Sequence, residues 1–223
     1  MSRHAFTHLE THSYYTLLGS TIPVTELAAR AAVEGMSHLA LTDTNALYGV
    51  LAFNRACQAV GVQAIIGMTV TVASEEISKD KAAGHLVLLA TGPTGYRSLC
   101  RLSSLIQASP EREKLAARGL DWTALAEHRE GLICLSGGRR GWIERRLRAG
   151  NEQAARNYAR RLAEVYGEIL PGPETNIVSS DQFDNGGIKF FHAPGHAIHH
   201  CCYLLDDLLF GGEVAGADIL AIA

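Results

Sequence analysis

Residues 38–67, HLALTDTNALYGVLAFNRACQAVGVQAIIG, decide the fold class. A short apolar run, His38 to Thr42, ends in a carboxylate at Asp43. Helical apolar spacing then runs over residues 46–60 and stops at Gly61, where a left-handed residue closes a helix. Val62 to Ile66 reads as a second strand, with 68–72 as its continuation. Two strands joined by a helix within thirty residues predict a parallel pair with a crossover.

The same alternation extends in both directions. An Ala-rich helix is predicted from Val24 to Glu34, with Gly35 behind it. His85 to Ala90 reads as a strand and 94–108 as a helix. Asp121 suits the N-cap of a helix over 122–128. Gly131 to Ser136 is a further strand, and 140–149 and 151–166 are helices stopped by Gly150 and Gly167. Such alternation predicts a largely parallel sheet flanked by helices, with chemistry at the carboxyl ends of its strands.

Pro171-Gly172-Pro173 ends the pattern. Asp184-Asn185-Gly186-Gly187 is a turn signal between extended stretches. Residues 188–192, 201–205 and 208–210 read as strands of a tail too short to bury much core alone. Charge changes at the same place. From Pro171 onward one lysine, Lys189, faces seven acids, a net −6 against −3 for the whole chain. That step predicts two segments of different role.

Hydrophobic residues make up 47% and charged residues 19%, the balance of an ordinary globular protein. No apolar run approaches the roughly 18–20 residues of a membrane span, and the opening residues lack the apolar core of a secretory signal. The five cysteines show no CxxC spacing, which fits reduced thiols in the cytoplasm.

Three polar residues near the amino terminus, His8, Glu10 and His12, recur at every second position. On a strand they share one face, and Asp43 at the end of the next strand is placed to join them. Imidazoles and carboxylates converging at strand ends suit divalent metal, and such ions polarise phosphoesters and acidify bound water. The alternative is a row of ordinary strand-edge polar residues, with Thr11 or Ser13 as caps. The arginine-rich stretch, which includes Arg145, Arg146 and Arg148, also has two readings. One is a solvated helical face paired with Glu144, Glu152 and Glu164; the other is a modest phosphate-contacting or subunit-contacting patch.

FTHLETHSYYTLL at 6–18 resembles the opening of the PHP (polymerase and histidinol phosphatase) domain in bacterial DNA polymerase III alpha subunits and error-prone polymerases. The run at 38–67 resembles it too, as do HLVLLATGPTGYRSLCRLSS at 85–104 and GLICLSGG at 131–138, all in order. The resemblance implies a multinuclear metal site, but its ligand pattern is broken here. The family's HxH is Glu10-Thr11-His12, its acid after the leucines is replaced by Gly19 and Ser20, its Asp-His pair is Asp43-Thr44, and Thr69 stands for a glutamate. His8, Glu10, His12 and Asp43 remain as candidate ligands, enough for one weakly held Mn, Zn or Mg ion. His85 and Cys134 read as core residues.

The tail holds four histidines in nine residues, 192–200, and a Pro-Gly turn fixes the direction of His196. FDNGGIKFFHAPGHAIHHCCYLLDDLLFGGEVAG at 183–216 resembles the middle of a metallo-β-lactamase-fold hydrolase. That resemblance implies His196 and Glu213 as a second candidate metal site, without the family's HxHxDH motif.

The expected fold is α/β: a partial, distorted (β/α) barrel of PHP type over 1–169, with a short β-rich appendage over 170–223. The implied function is a catalytically degenerate PHP module of a DNA polymerase III alpha-like protein in DNA replication or repair synthesis. The alternatives are a metal-dependent phosphoesterase or 3′–5′ exonuclease using Glu10, His12 and Asp43, and a metallo-β-lactamase-like hydrolase centred on His196. Other replication-polymerase subunits are the expected partners, with weak or no direct DNA binding, no membrane and a cytoplasmic location.

Overall fold

The computed structural model describes residues 7–73 and 83–166, together with the backbone of 183–185, 188–192, 200–205 and 208–213. Helix α1 (Val24–Val33) buries Val24, Ala28 and Ala31, the one-face spacing expected of an amphipathic helix. Its chain turns at Gly35, with φ of 74°, into strand β1 (His38–Leu41). Helix α2 (Val50–Ala59) turns at Gly61, with φ of 75°, into strand β2 (Gln63–Val72). These two glycines adopt a conformation that costs a residue bearing Cβ about 1–2 kcal/mol.

β1 and β2 pair in parallel from His38↔Gln63 to Leu41↔Ile66, and a bridge between Thr44 and Thr69 continues the same register. Val24, Ala28, Ala31, Leu39, Leu41, Phe53, Cys57 and Val62 form one cluster between the two helices and this pair. Phe53 is fully enclosed, which contributes about 2–3 kcal/mol of hydrophobic stabilisation. Helix α2 starts four residues later than its apolar spacing predicts. Asn45, with φ of 57°, ties its side chain to Thr71 of β2, and the chain turns before the helix begins.

Strand β3 (Gly84–Ala90) and strand β4 (Leu132–Leu135) complete a four-stranded sheet of order β1-β2-β3-β4. The last six residues of β2 are all buried, as suits an interior strand. The α/β class is therefore as expected. Barrel closure is not part of this order, since β1 and β4 stand at its ends among the described residues. Helix α3 (Pro93–Gln107) lies close to the turn before β4: a Cβ on Gly95 would sit 1.9 Å from the Gly131 carbonyl oxygen. Helix α4 (Arg112–Arg118) was not legible in the sequence, because it buries no residue and so shows no apolar period. Helix α5 (Trp122–Glu127) is capped as predicted, the Asp121 carboxylate accepting the Ala124 N–H at 2.9 Å.

By compactness the chain divides within β3 and β4, into Met1–Ala83 with Val87–Ile133, and Gly84–Leu86 with Cys134–Ala223. The break expected at Pro171 lies outside the described residues. In the second unit, a one-turn 3-10 helix (Gly138–Arg140) precedes helix α6 (Trp142–Arg148) and helix α7 (Glu152–Tyr166). Trp142 is buried, and a Cβ on Gly84 would lie 2.3 Å from its ring nitrogen. Strands β5 (Phe183–Asn185), β6 (Ile188–His192), β7 (His200–Leu205) and β8 (Leu208–Glu213) form an antiparallel sheet in sequential order. Two of its connections are two residues long, the length favoured by hairpins.

Candidate functional site

The amino-terminal segment does not form the strand expected for His8, Glu10 and His12. It runs beside β1 nonetheless. The Ala40 N–H donates to the His8 carbonyl at 2.9 Å and the Thr42 N–H to the Thr11 carbonyl at 2.8 Å. Thr11 donates its own N–H to the Thr42 hydroxyl at 3.0 Å and its hydroxyl to the Ala40 carbonyl. This lateral pairing carries Glu10 and His12 to the carboxyl end of β1, where Asp43 sits.

Glu10 and His12 meet: Oε1 lies 3.4 Å from Nε2, with the side chains 13% and 24% exposed. The other ring nitrogen of His12, Nδ1, is 3.3 Å from the Thr16 hydroxyl. Asp43 takes a different role. It is 2% exposed, and its carboxylate accepts three hydrogen bonds from the turn that follows His12. Oδ1 accepts the Ser13 N–H at 2.7 Å and the Thr16 hydroxyl at 2.8 Å, and Oδ2 accepts the Ser13 hydroxyl at 2.7 Å. The Thr44 N–H donates in turn to the Thr16 oxygen at 3.1 Å. Gly49 packs over the same place, where a Cβ would lie 2.7 Å from the Tyr15 ring and 3.3 Å from Asp43 Oδ2.

Asp43 is therefore the acceptor that folds residues 13–16 back onto the end of β1. Charge-assisted hydrogen bonds of this length are the strong ones. Ser13, weighed in the sequence only as a cap, and Thr16 are the partners that matter here. The signal available was a Ser and a Thr three residues apart, a spacing common in tight turns. Thr69 is fully buried, and its hydroxyl has no hydrogen-bond partner among the described residues. Behind the site, Asn45 accepts the Thr71 N–H at 2.9 Å, and its own carbonyl accepts Gln107 Nε2 at 2.9 Å. That pairing holds the loop after β1 to β2 and α3.

A family model described as the PHP domain matches residues 8–169. The chain belongs to the PHP domain family. Its curated relatives include the DNA polymerase III subunit alpha of Bacillus subtilis, 36% identical over 164 residues, which cover 74% of this chain and 14% of the relative. The DNA polymerase III subunit alpha of Treponema pallidum is 38% identical over 173 residues, covering 75% and 14%. An error-prone DNA polymerase of Symbiobacterium thermophilum is 36% identical over 192 residues, covering 76% and 17%. The chain thus spans about a sixth or less of the length of these relatives. Among solved structures, a protein described as a metal-dependent phosphoesterase from Bifidobacterium adolescentis superposes loosely. Its TM-score is 0.38 at 15% identity, with 79% of this chain and 62% of that chain covered.

Among the described residues, the side chains at this site do not form a donor set that fits the metals the resemblance implies. Among the described residues no three His, Cys, Asp or Glu side chains come together as a ligand group. Glu10 and His12 meet, and both oxygens of Asp43 serve protein donors. His8 is bound to β1 through its carbonyl and belongs to no such group.

His196 lies outside the described residues, and Glu213 ends β8, opposite His200 of β7 in the backbone register. The family match stops at residue 169, short of both.

The three arginines singled out in the sequence do not form one presented patch. Arg146 is buried, donating from Nη1 to the Ala154 carbonyl at 3.1 Å and lying 5.5 Å from the Tyr158 ring. Arg145 stacks over Trp142 at 4.4 Å, and Arg148 pairs with Glu144 at 2.8 Å. Arg146 is thus a packing element between α6 and α7, a use of the long arginine stem that sequence spacing does not reveal. Burial of Tyr158 raises its hydroxyl pKa above the ordinary phenolic value.

Proposed function

We propose that this chain is a PHP module of a DNA polymerase III alpha-like protein, working as a scaffold in replication or repair synthesis and not as a phosphoesterase. One observation carries the reading: the carboxylate of Asp43 is committed to Ser13 and Thr16. A metallophosphoesterase stabilises attacking and leaving oxygens with ions about 3.5–4 Å apart, which demands several free donors. Here the best-placed acid has become the anchor of a turn. Other subunits of the replicative polymerase are the natural partners, and the cytoplasm the natural place. No helix among the described residues is long and apolar enough to cross a membrane. We assign residues 1–169 to a partial, distorted (β/α) barrel and residues 170–223 to a β-rich appendage.

The test is hydrolysis of a phosphodiester and of a 3′-labelled oligonucleotide by the purified chain, with manganese, zinc or magnesium added. The expected result is no turnover above a metal blank. Turnover that His12→Ala abolishes would overturn the reading. It would favour the exonuclease or phosphoesterase alternative, for which the Glu10–His12 pair at 3.4 Å speaks.

A further inference from the structure

We propose that a groove between α3 and the end of α5 binds a small carboxylate with an apolar body, of the kind a medium-chain fatty acid presents. The site is separate from the amino-terminal residues and independent of the role of Asp43. Two adjacent rows of side chains on α3 and its C-terminal extension line the groove, Cys100, Ser104 and Ala108 in one and Arg101, Leu105 and Ser109 in the other. Residues four apart on a helix stand one above another, so these six make a continuous floor. From Cys100 to Ala108, eight rises of about 1.5 Å make that floor about 12 Å long. His128, just past α5, forms the facing wall, and the space between measures about 630 Å³, within the range of small-molecule sites.

The two ends of the groove differ. The Ser98 hydroxyl donates to the Glu130 carbonyl at 2.7 Å, which ties the chain just after His128 to the end of α3 that carries Arg101. Arg101 has no hydrogen-bond or ion-pair partner among the described residues, and α3 contains no acid. Arg97, one turn earlier, donates to the Thr94 hydroxyl at 2.9 Å and does not line the groove. One uncommitted guanidinium calls for one negative charge, and a carboxylate matches its fork. A phosphate monoester carries closer to two. Nδ1 of His128 has no partner among the described residues either, so no hydrogen bond through that nitrogen holds the ring against a turn toward the anion. At the far end Leu105 is 43% exposed, with Ala108 beside it. An alkyl chain laid over this pair takes its apolar surface out of water.

The experiment titrates the full chain, labelled with nitrogen-15, with octanoate below its micelle-forming concentration, and follows the amide resonances. Saturable shifts confined to residues 100–109 and the neighbourhood of His128 are expected, with a dissociation constant on the order of 1–10 mM for so small a ligand. Octanoate also slows alkylation of Cys100 by iodoacetamide, located by peptide mapping. Arg101→Glu weakens binding by roughly 10-fold or more and Leu105→Ser by roughly 5-fold, whereas Arg30→Glu leaves it unchanged. Both groove positions are exposed, and the amide spectrum reports that each variant keeps its fold. Octylammonium, with the same chain and the opposite charge, produces no saturable shifts. Octanoate shifts that do not saturate or that lie elsewhere, binding that survives Arg101→Glu, or equal binding of octylammonium would overturn the proposal.

Discussion

Replacing Asp43 with alanine separates a structural carboxylate from a metal ligand by the sign of the stability change. In the native chain, Asp43 satisfies the Ser13 N–H, the Ser13 hydroxyl and the Thr16 hydroxyl at 2.7–2.8 Å. Alanine leaves all three donors without that acceptor in a place that is closed to water, Ser13 being fully buried. A buried donor deprived of its partner costs about 1–3 kcal/mol. The Thr16 hydroxyl can rotate and recover part of this, because His12 Nδ1 lies 3.3 Å away as another acceptor. The Ser13 amide has no such freedom. The expected loss is therefore about 3–5 kcal/mol, a large part of the roughly 5–15 kcal/mol that holds a domain together.

Asp43→Asn keeps an oxygen for the Ser13 amide and turns a donor toward the Ser13 oxygen, so about 1–2 kcal/mol is expected. Urea unfolding followed by far-ultraviolet circular dichroism measures both variants, with the m-value as the check that compactness is unchanged. A carboxylate held in readiness for a cation would behave otherwise. Its removal would leave the metal-free protein as stable as before, or more stable. An alanine variant within about 0.5 kcal/mol of the parent, or a parent stabilised by manganese through Asp43, would refute the reasoning.

Other consequences are as direct. Arg146→Ala is expected to cost about 2–4 kcal/mol in urea unfolding, through lost packing and the lost hydrogen bond to the Ala154 carbonyl, whereas Arg30→Ala, whose pair with Glu34 is solvent-exposed on both sides, costs under about 1 kcal/mol. Gly95→Ala forces α3 away from the Gly131 carbonyl and lowers stability by about 1–3 kcal/mol or more, read by the same unfolding assay. Burial pushes the Cys57 thiol up to about 11 from an ordinary 9.0. The folded state then holds its proton longer than the unfolded chain does, so this contribution is complete below pH 9 and is lost as pH rises through 11. Comparing the alkaline stability profiles of the parent and Cys57→Ala checks this, the variant showing the shallower decline.

Much of the fold was legible because its signals are local. Apolar spacing in α1 and the carboxylate ahead of α5 specify their elements within a few residues. Parallel pairing of β1 with β2 follows from the strand–helix–strand run at 38–67 alone. Helix α4 escaped because it packs no face, so no period marks it. The site was legible only as a set of names. Sequence places Asp43 where the family has a ligand, and it places His12 and Glu10 two residues apart. What it withholds is which donors reach that carboxylate first. Those donors, on Ser13 and Thr16, come from 30 and 27 residues upstream, and only the lateral docking of the amino-terminal segment on β1 brings them there. A ligand's identity is thus a property of residue type, whereas its availability is a property of packing. In this chain the packing has given the Asp43 carboxylate to a turn, where it serves Ser13 and Thr16.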